Sequence, residues 1–334
     1  ELARAKLLPA PFCLPRAALT REAAAALRSG SAPLFFLGLA GAGKSALLGL
    51  AAAELRKDFP HALVLSFNGP AALEPAYALE EINAFLARLG RGVEPESLRA
   101  IDPAKALERL AGAFRGVPVL ALFDGVDAVP APWLALMAGT LAAAGSRVAL
   151  SGRSWPQGLA AQRITVGALS EEEALALVRG CAAALGVELD AAELLPRLSE
   201  GLRLHPQALQ TVVAQLRDLP LELLLLEGLP EQTRSPARLT REVIAALADG
   251  EREVLALTTL LSGLDLAGAL KAFGVKPPAG LGPALTALAG RALACRGGGA
   301  YFVSALVGEA LAEAAPETLA GAAKRLAAAW PDSV

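Results

Sequence analysis

Gly38-Leu39-Ala40-Gly41-Ala42-Gly43-Lys44-Ser45 has the spacing G-x-x-x-x-G-K-S, and it lies between the apolar run Pro33 to Leu37 and the helical opening Ala46-Leu47-Leu48. Strand, loop and helix in that order are the setting in which this pattern cradles phosphate. Glycines let successive backbone N–H groups turn toward one anion, and the helix that follows presents the positive end of its dipole. Lys44 adds a point charge for the β- and γ-phosphates, and the Ser45 hydroxyl is placed to ligate Mg²⁺. Gly38, Gly41, Ala42, Gly43, Lys44, Ser45 and Ala46 are therefore the expected nucleotide-contacting residues, with ATP or ADP and Mg²⁺ as ligands.

Outward from the loop, short apolar runs alternate with helical stretches. The runs are Leu34 to Leu37, Ala62 to Phe67, Val117 to Phe123, Arg147 to Ser151 and Arg163 to Val166; the helical stretches are Lys44 to Lys57, Leu79 to Leu89, Pro103 to Phe114 and Trp133 to Ala144. Strands separated by helices imply a doubly wound α/β domain with a parallel sheet, whose ligands sit at the carboxyl ends of its strands. At Ser170-Glu171-Glu172-Glu173 a capping box opens a helix through Leu185, and further helices are expected at Asp190 to Leu198, His205 to Leu216 and Pro220 to Leu226. After a polar break at Gln232 to Pro236 come Arg241 to Ala248, Glu251 to Leu261, Leu264 to Phe273 and Leu281 to Ala289, then two short apolar runs, Ala292 to Cys295 and Ala300 to Val303, joined by glycines. Three helices and a Gly-tipped hairpin are the layout of a winged helix, with an irregular helical tail as the alternative. The expected partition is a linker and N-terminal helix over 1–32, a P-loop domain over 33–167, a helical domain over 168–235 and a winged-helix domain over 236–334.

Composition narrows the partners. The 334 residues carry 31 basic and 33 acidic side chains, a formal charge of -2, which supplies no bulk attraction to nucleic acid or anionic membrane. Aromatics are only 4% of a chain that is 54% hydrophobic, the profile of an alanine-biased helical protein. Cys13, Cys181 and Cys295 are far apart and the histidines are only His61 and His205, which argues against a zinc site or a disulfide framework and for a reducing cytoplasm. The most apolar stretch, Val117 to Ala144, contains Asp124, Asp127, Pro130 and Pro132, so no membrane span is expected. The chain starts without Met or a leader, and is expected to be a piece of a longer protein, entered through the linker Leu8-Pro9-Ala10-Pro11.

A second motif supports the first. Val119-Leu120-Ala121-Leu122-Phe123-Asp124 is a buried-strand run ending in a carboxylate, the arrangement that sets an acid beside the nucleotide's Mg²⁺, so Ser45 and Asp124 are the candidate metal ligands. Gly125 follows, where a glutamate would orient and deprotonate water. Asp127 is the nearest acid left for that work, with a loop or cap role as the alternative, and turnover is expected to be slow.

With these motifs the chain resembles the STAND class of P-loop ATPases, signal-transducing relatives of AAA+ proteins that include NB-ARC and NACHT modules, over nearly all its length. Phe123-Asp124-Gly125-Val126-Asp127 is similar to the NACHT form of the Walker B strand, with Ala128 where a second acid often stands. Val148-Ala149-Leu150-Ser151-Gly152-Arg153-Ser154 is similar to the strand-end sensor, which implies that Arg153 reads the γ-phosphate; a surface arginine is the alternative. Leu14-Pro15-Arg16 stands where the class brackets base and ribose, with Pro15 in place of glycine, and this implies a nucleotide contact for Arg16. In Gly201-Leu202-Arg203-Leu204-His205-Pro206-Gln207-Ala208-Leu209 the proline matches the one that packs near adenine, although Pro206 equally suits the first residue of a helix. Tyr301 to Leu306 resembles the segment that reads the ADP β-phosphate through a histidine; Ser304 stands there, so either its hydroxyl takes over or the lock is absent.

The resemblance implies an ATP/ADP-controlled switch in which ADP holds the helical and winged-helix domains on the nucleotide domain and ATP releases them to self-associate. It also implies an effector domain ahead of Glu1 and a sensor domain beyond Val334. The competing expectation is an AAA+ ATPase whose winged helix binds nucleic acid. Between Thr240 and Val334 eight basic residues face nine acidic ones, and Leu281 to Ala289 has no Lys or Arg, so no nucleic-acid partner is expected. A metabolic P-loop kinase explains the loop but not the helical segments that follow.

Overall fold

The computed structural model describes Leu7 and residues 12–67, 74–198, 200–217, 236–297 and 299–329. The expected linker at Leu8 to Pro11, the helix at Pro220 to Leu226 and residues 232–235 of the polar break lie outside the described residues. The described chain forms two compact units. The first comprises Leu7, 15–39 and 44–166; the second comprises 12–14, 40–43 and the residues from Gly167 onward.

In the first unit α1 (Ala17–Ser29) leads to β1 (Leu34–Leu37), followed by α2 (Lys44–Glu54), β2 (His61–Ser66), α3 (Pro75–Arg88), α4 (Pro95–Arg99), α5 (Pro103–Gly112), β3 (Val119–Asp124), α6 (Ala131–Ala143), β4 (Arg147–Gly152) and β5 (Gln162–Thr165). All pairings are parallel, in the order β2-β3-β4-β1-β5. The chain leaves β1 for the far edge, returns through β3 and β4, then crosses β1 to β5. The loop after β1 therefore opens where strand order reverses, at the carboxyl ends of β1, β3 and β4. All six residues of β3 are buried, as a parallel strand covered on both faces requires, which is why it reads as an unbroken apolar run.

The helices differ from the expected ones chiefly at their starts. Pro75 and Pro103 occupy first-turn positions, where the missing N–H costs nothing, so α3 begins four residues before Leu79. The short α4 has no apolar periodicity to announce it. On one sheet face α3, α5 and α6 pack on Phe35, Leu65, Phe123 and Leu150, and Phe85 stacks on Phe114 at 5.9 Å between ring centroids.

In the second unit α7 (Glu171–Leu185), α8 (Ala191–Arg197), α9 (Glu200–Arg203) and α10 (Pro206–Gln215) precede α11 (Pro236–Ala245), α12 (Asp249–Leu260), α13 (Leu266–Ala272) and α14 (Leu281–Gly290). The antiparallel hairpin β6 (Cys295–Gly297) and β7 (Ala300–Phe302) comes next, then α15 (Ala305–Ala314) and α16 (Pro316–Ala328). Ser170 starts α7 as read: its hydroxyl accepts from Glu173 N at 3.1 Å while Ser170 N donates to Glu173 Oε2 at 3.0 Å. One core gathers Leu177, Cys181, Leu194, Leu209 and Leu239, and a second gathers Ile244, Leu257, Leu288, Val307 and Leu311. Burial pushes the Cys181 and Cys295 thiols up to about 12, so neither supplies thiolate near neutral pH. Among the described residues no helix is long and apolar enough to cross a membrane, and no cluster of three His, Cys, Asp or Glu could hold a metal ion.

Phe114 is fully buried under the first sheet face. Truncation to alanine leaves a cavity against Phe85, so Phe114→Ala is expected to destabilise the protein by about 3–5 kcal/mol. Urea unfolding against wild type measures this; a shift below about 1 kcal/mol, the scale of an ordinary point substitution, contradicts the packing described.

Candidate phosphate and metal site

Backbone geometry shapes the loop after β1. Gly38 N donates to Gly152 O at 3.2 Å, and a Cβ on Gly38 would lie 2.4 Å from the Val166 carbonyl oxygen, so only glycine fits between these strand ends. Gly43 has φ +94 with open space around a Cβ; there the requirement is conformational. Lys44, at the start of α2, turns its Nζ back to donate to the carbonyls of Gly38 at 2.9 Å and Leu39 at 2.8 Å. The ammonium thus lies over its own loop, and phosphate oxygens, carrying full charge, are stronger acceptors than those carbonyls.

Ser45 follows, and its hydroxyl donates to Asp124 Oδ1 at 2.8 Å. Ser151 Oγ, from β4, donates to the same oxygen at 2.6 Å and accepts from Gly125 N at 3.1 Å. Asp124 is only 5% exposed, and a buried carboxylate needs such donors. A hydroxyl and a carboxylate side by side are the hard oxygen donors that suit Mg²⁺, so the residues present fit that ion, which Ser45 and Asp124 would hold.

Gly125 has φ +72, left-handed backbone that also starts the 3₁₀ turn Val126–Ala128. An L side chain there costs roughly 1–2 kcal/mol. A glutamate directly after Asp124 is therefore disfavoured by the turn itself.

Asp127 is joined to Arg153. Its Oδ1 accepts from Arg153 N at 2.5 Å and Ser154 N at 3.3 Å, and Oδ2 accepts from Arg153 Nε at 3.2 Å. The intervening Gly152 has no room for a side chain, since a Cβ would lie 2.7 Å from Phe35 Cζ and 3.3 Å from Asp127 Oδ1. The carboxylate fastens the turn after β4 to the turn after β3 and fixes the base of the Arg153 side chain.

Arg16 lies at the N-terminus of α1 with left-handed backbone, φ 42. Pro206 is the first residue of α10. Ser304 caps α15, its Oγ accepting from Val307 N at 3.3 Å. Gly41, in the part of the loop that belongs to the second unit, has φ +73, and a Cβ there would meet His205 Cε1, Gln207 Cβ and Leu306 Cδ2. Two residues escaped the sequence reading. Ser151 is a polar residue in a buried strand, a signal that it must satisfy a partner. His205 stands beside Pro206, and nothing in the sequence pairs it with a residue of the phosphate loop.

Ser151→Ala removes a bond to a buried carboxylate and strands Gly125 N–H. A loss of about 1–3 kcal/mol is expected. Equilibrium denaturation checks this, with Ser154→Ala as the exposed control; equal midpoints for both variants contradict it.

No family model matches the sequence, and no curated protein does. Among solved structures, the chain is similar to a signal transduction ATPase with numerous domains (STAND) bearing a tetratricopeptide-repeat sensor from Pyrococcus horikoshii, at 18% identity and TM-score 0.58 over 92% of this chain and 44% of that one. It also matches a Walker-type ATPase of Pyrococcus abyssi (13% identity, TM-score 0.47, 89% of this chain and 95% of that one). A third match is domain III of the replication initiation protein DnaA from Thermotoga maritima (15%, 0.43, 65% and 93%). The chain thus has the P-loop α/β fold of the STAND protein, and it spans less than half of that protein's length.

Proposed function

We propose that the chain is a nucleotide-binding switch module: an ATPase-type unit that holds ADP or ATP with Mg²⁺ and turns over slowly. The observation that carries this reading is the convergence of Lys44, Ser45 and Asp124 at the carboxyl ends of parallel strands. When bound, Mg²⁺ supplies charge neutralisation between the β- and γ-phosphates. Lys44 leaves the Gly38 and Leu39 carbonyls for phosphate oxygens, and the Ser45 hydroxyl and Asp124 carboxylate hold the metal. Ser151 keeps Asp124 oriented. Slow turnover is supported by the left-handed Gly125, which offers no water-activating side chain, and by the engagement of Asp127 with Arg153.

Arg153 is the residue that distinguishes ATP from ADP in this proposal, exchanging part of its contact with Asp127 for the γ-phosphate. A nucleotide shifts a conformational equilibrium only through different affinity for the two states. The chain is proposed to alternate between a closed ADP form and an open ATP form that self-associates, with residues 168–235 acting as the helical domain and 236–334 as the winged helix. Nucleic acid is left out as a partner because α14 carries no Lys or Arg.

Four measurements test the reading. Protein purified without added nucleotide is expected to release ADP on denaturation, and Lys44→Ala is expected to lose ADP and ATP binding while keeping its unfolding midpoint. Arg153→Ala is expected to reduce the preference for ATP over ADP about tenfold, the scale of one charge-assisted contact. Unaltered nucleotide affinity in Lys44→Ala removes the assignment; wild-type turnover of many per second removes the slow switch.

A further inference from the structure

The pattern G-x-x-x-x-G-K-S leaves position 41 open, yet Gly41 is tightly enclosed. A Cβ there would stand 2.7 Å from His205 Cε1 and 2.8 Å from Gln207 Cβ, and the backbone is left-handed at φ +73. The loop tip, residues 40–43, belongs to the second unit together with His205. His205 Nε2 lies 3.0 Å from Ala40 O, and its Nδ1 lies 3.3 Å from Ala208 N. A carbonyl can only accept and a backbone N–H can only donate, so the imidazole is the tautomer with its proton on Nε2. One ring thus caps α10 through Nδ1 and grips the loop through Nε2. Gln207, the other wall against Gly41, is itself fixed by donating to Ala292 O at 3.2 Å.

We propose that His205 is a positioning residue of the phosphate loop. By holding the Ala40 carbonyl it sets the Ala40–Gly41 peptide plane and so aims the Gly41 N–H at bound phosphate. The peptide is planar and trans, so its N–H points opposite to its C=O. An oxygen held toward His205 sends the Gly41 N–H away from it. A peptide flanked by glycine reorients readily, since Gly41 has no Cβ to restrict it; the imidazole supplies the restriction. The proposal rests on the nucleotide-binding reading above and adds a determinant of phosphate affinity that the loop motif does not contain.

Two substitutions separate the ring's two duties. His205→Asn places an amide oxygen where Nδ1 stands, keeping the helix cap and losing the grip on Ala40. His205→Gln places an amide N–H where Nε2 stands, keeping the grip and losing the cap. ADP affinity is measured by titration calorimetry on the full chain, with thermal unfolding of each variant and Lys44→Ala as control. His205→Asn is expected to bind ADP about tenfold more weakly at an unchanged unfolding midpoint, the cost of mis-setting one charge-assisted hydrogen bond, while His205→Gln stays within about threefold of wild type. The reverse order, or affinity loss that tracks unfolding in both variants, reduces His205 to a helix cap and overturns the proposal, as does wild-type affinity in both. Retained ADP binding in Lys44→Ala would instead refute the nucleotide reading, and with it this proposal.

Discussion

The site depends on a carboxylate kept where water barely reaches it. Asp124, 5% exposed at the end of β3, needs donors for the same reason that any buried charge does, and it finds two hydroxyls on one oxygen. Ser45 brings in the first turn of α2, and Ser151 brings in β4. Three elements separated by up to about a hundred residues are thereby tied at one atom. The parallel sheet makes this possible: β4 lies between β3 and β1, so the turn that follows β1 opens beside both carboxylate and hydroxyl.

Backbone geometry supplies what side chains cannot. Gly38 is required because a carbonyl oxygen occupies the volume of a Cβ, whereas Gly125 is required because the chain turns left-handed immediately after Asp124. These are different constraints with different consequences. The first lets strand ends close on the loop; the second opens a 3₁₀ turn that carries Asp127 over to the backbone of Arg153 and Ser154.

The sheet was legible in the sequence because its strands are buried on both faces, so apolar runs such as Val119 to Phe123 stand out between amphipathic helices. The phosphate loop was legible because its chemistry fixes residue types at fixed spacing. Helix starts were less so: Pro75 can be read either as a breaker or as a first-turn residue, and only the fold decides. Ser151 and His205 are not legible for a shared reason: each pairs with a residue distant in the chain, Asp124 in one case and Ala40 in the other. Periodicity carries no trace of such pairings.

The pairing of Asp127 with Arg153 bears on the slow turnover of the proposed switch. A general base must have a lone pair aimed at water, and both Asp127 oxygens here accept from residues 153 and 154. Freeing that carboxylate breaks two backbone hydrogen bonds and an ion pair on an exposed turn. At position 125, the other place for a base, a side chain is disfavoured by the left-handed backbone. In the proposed switch the same turn offers no side chain at position 125 and employs Asp127 as a fastener. In the proposed switch, what Asp127 contributes is the placement of Arg153 beside the strand ends, so that the γ-phosphate competes with an existing ion pair. Discrimination between ATP and ADP then depends on the difference between two contacts of the same guanidinium, which sets a modest and reversible bias suited to a switch.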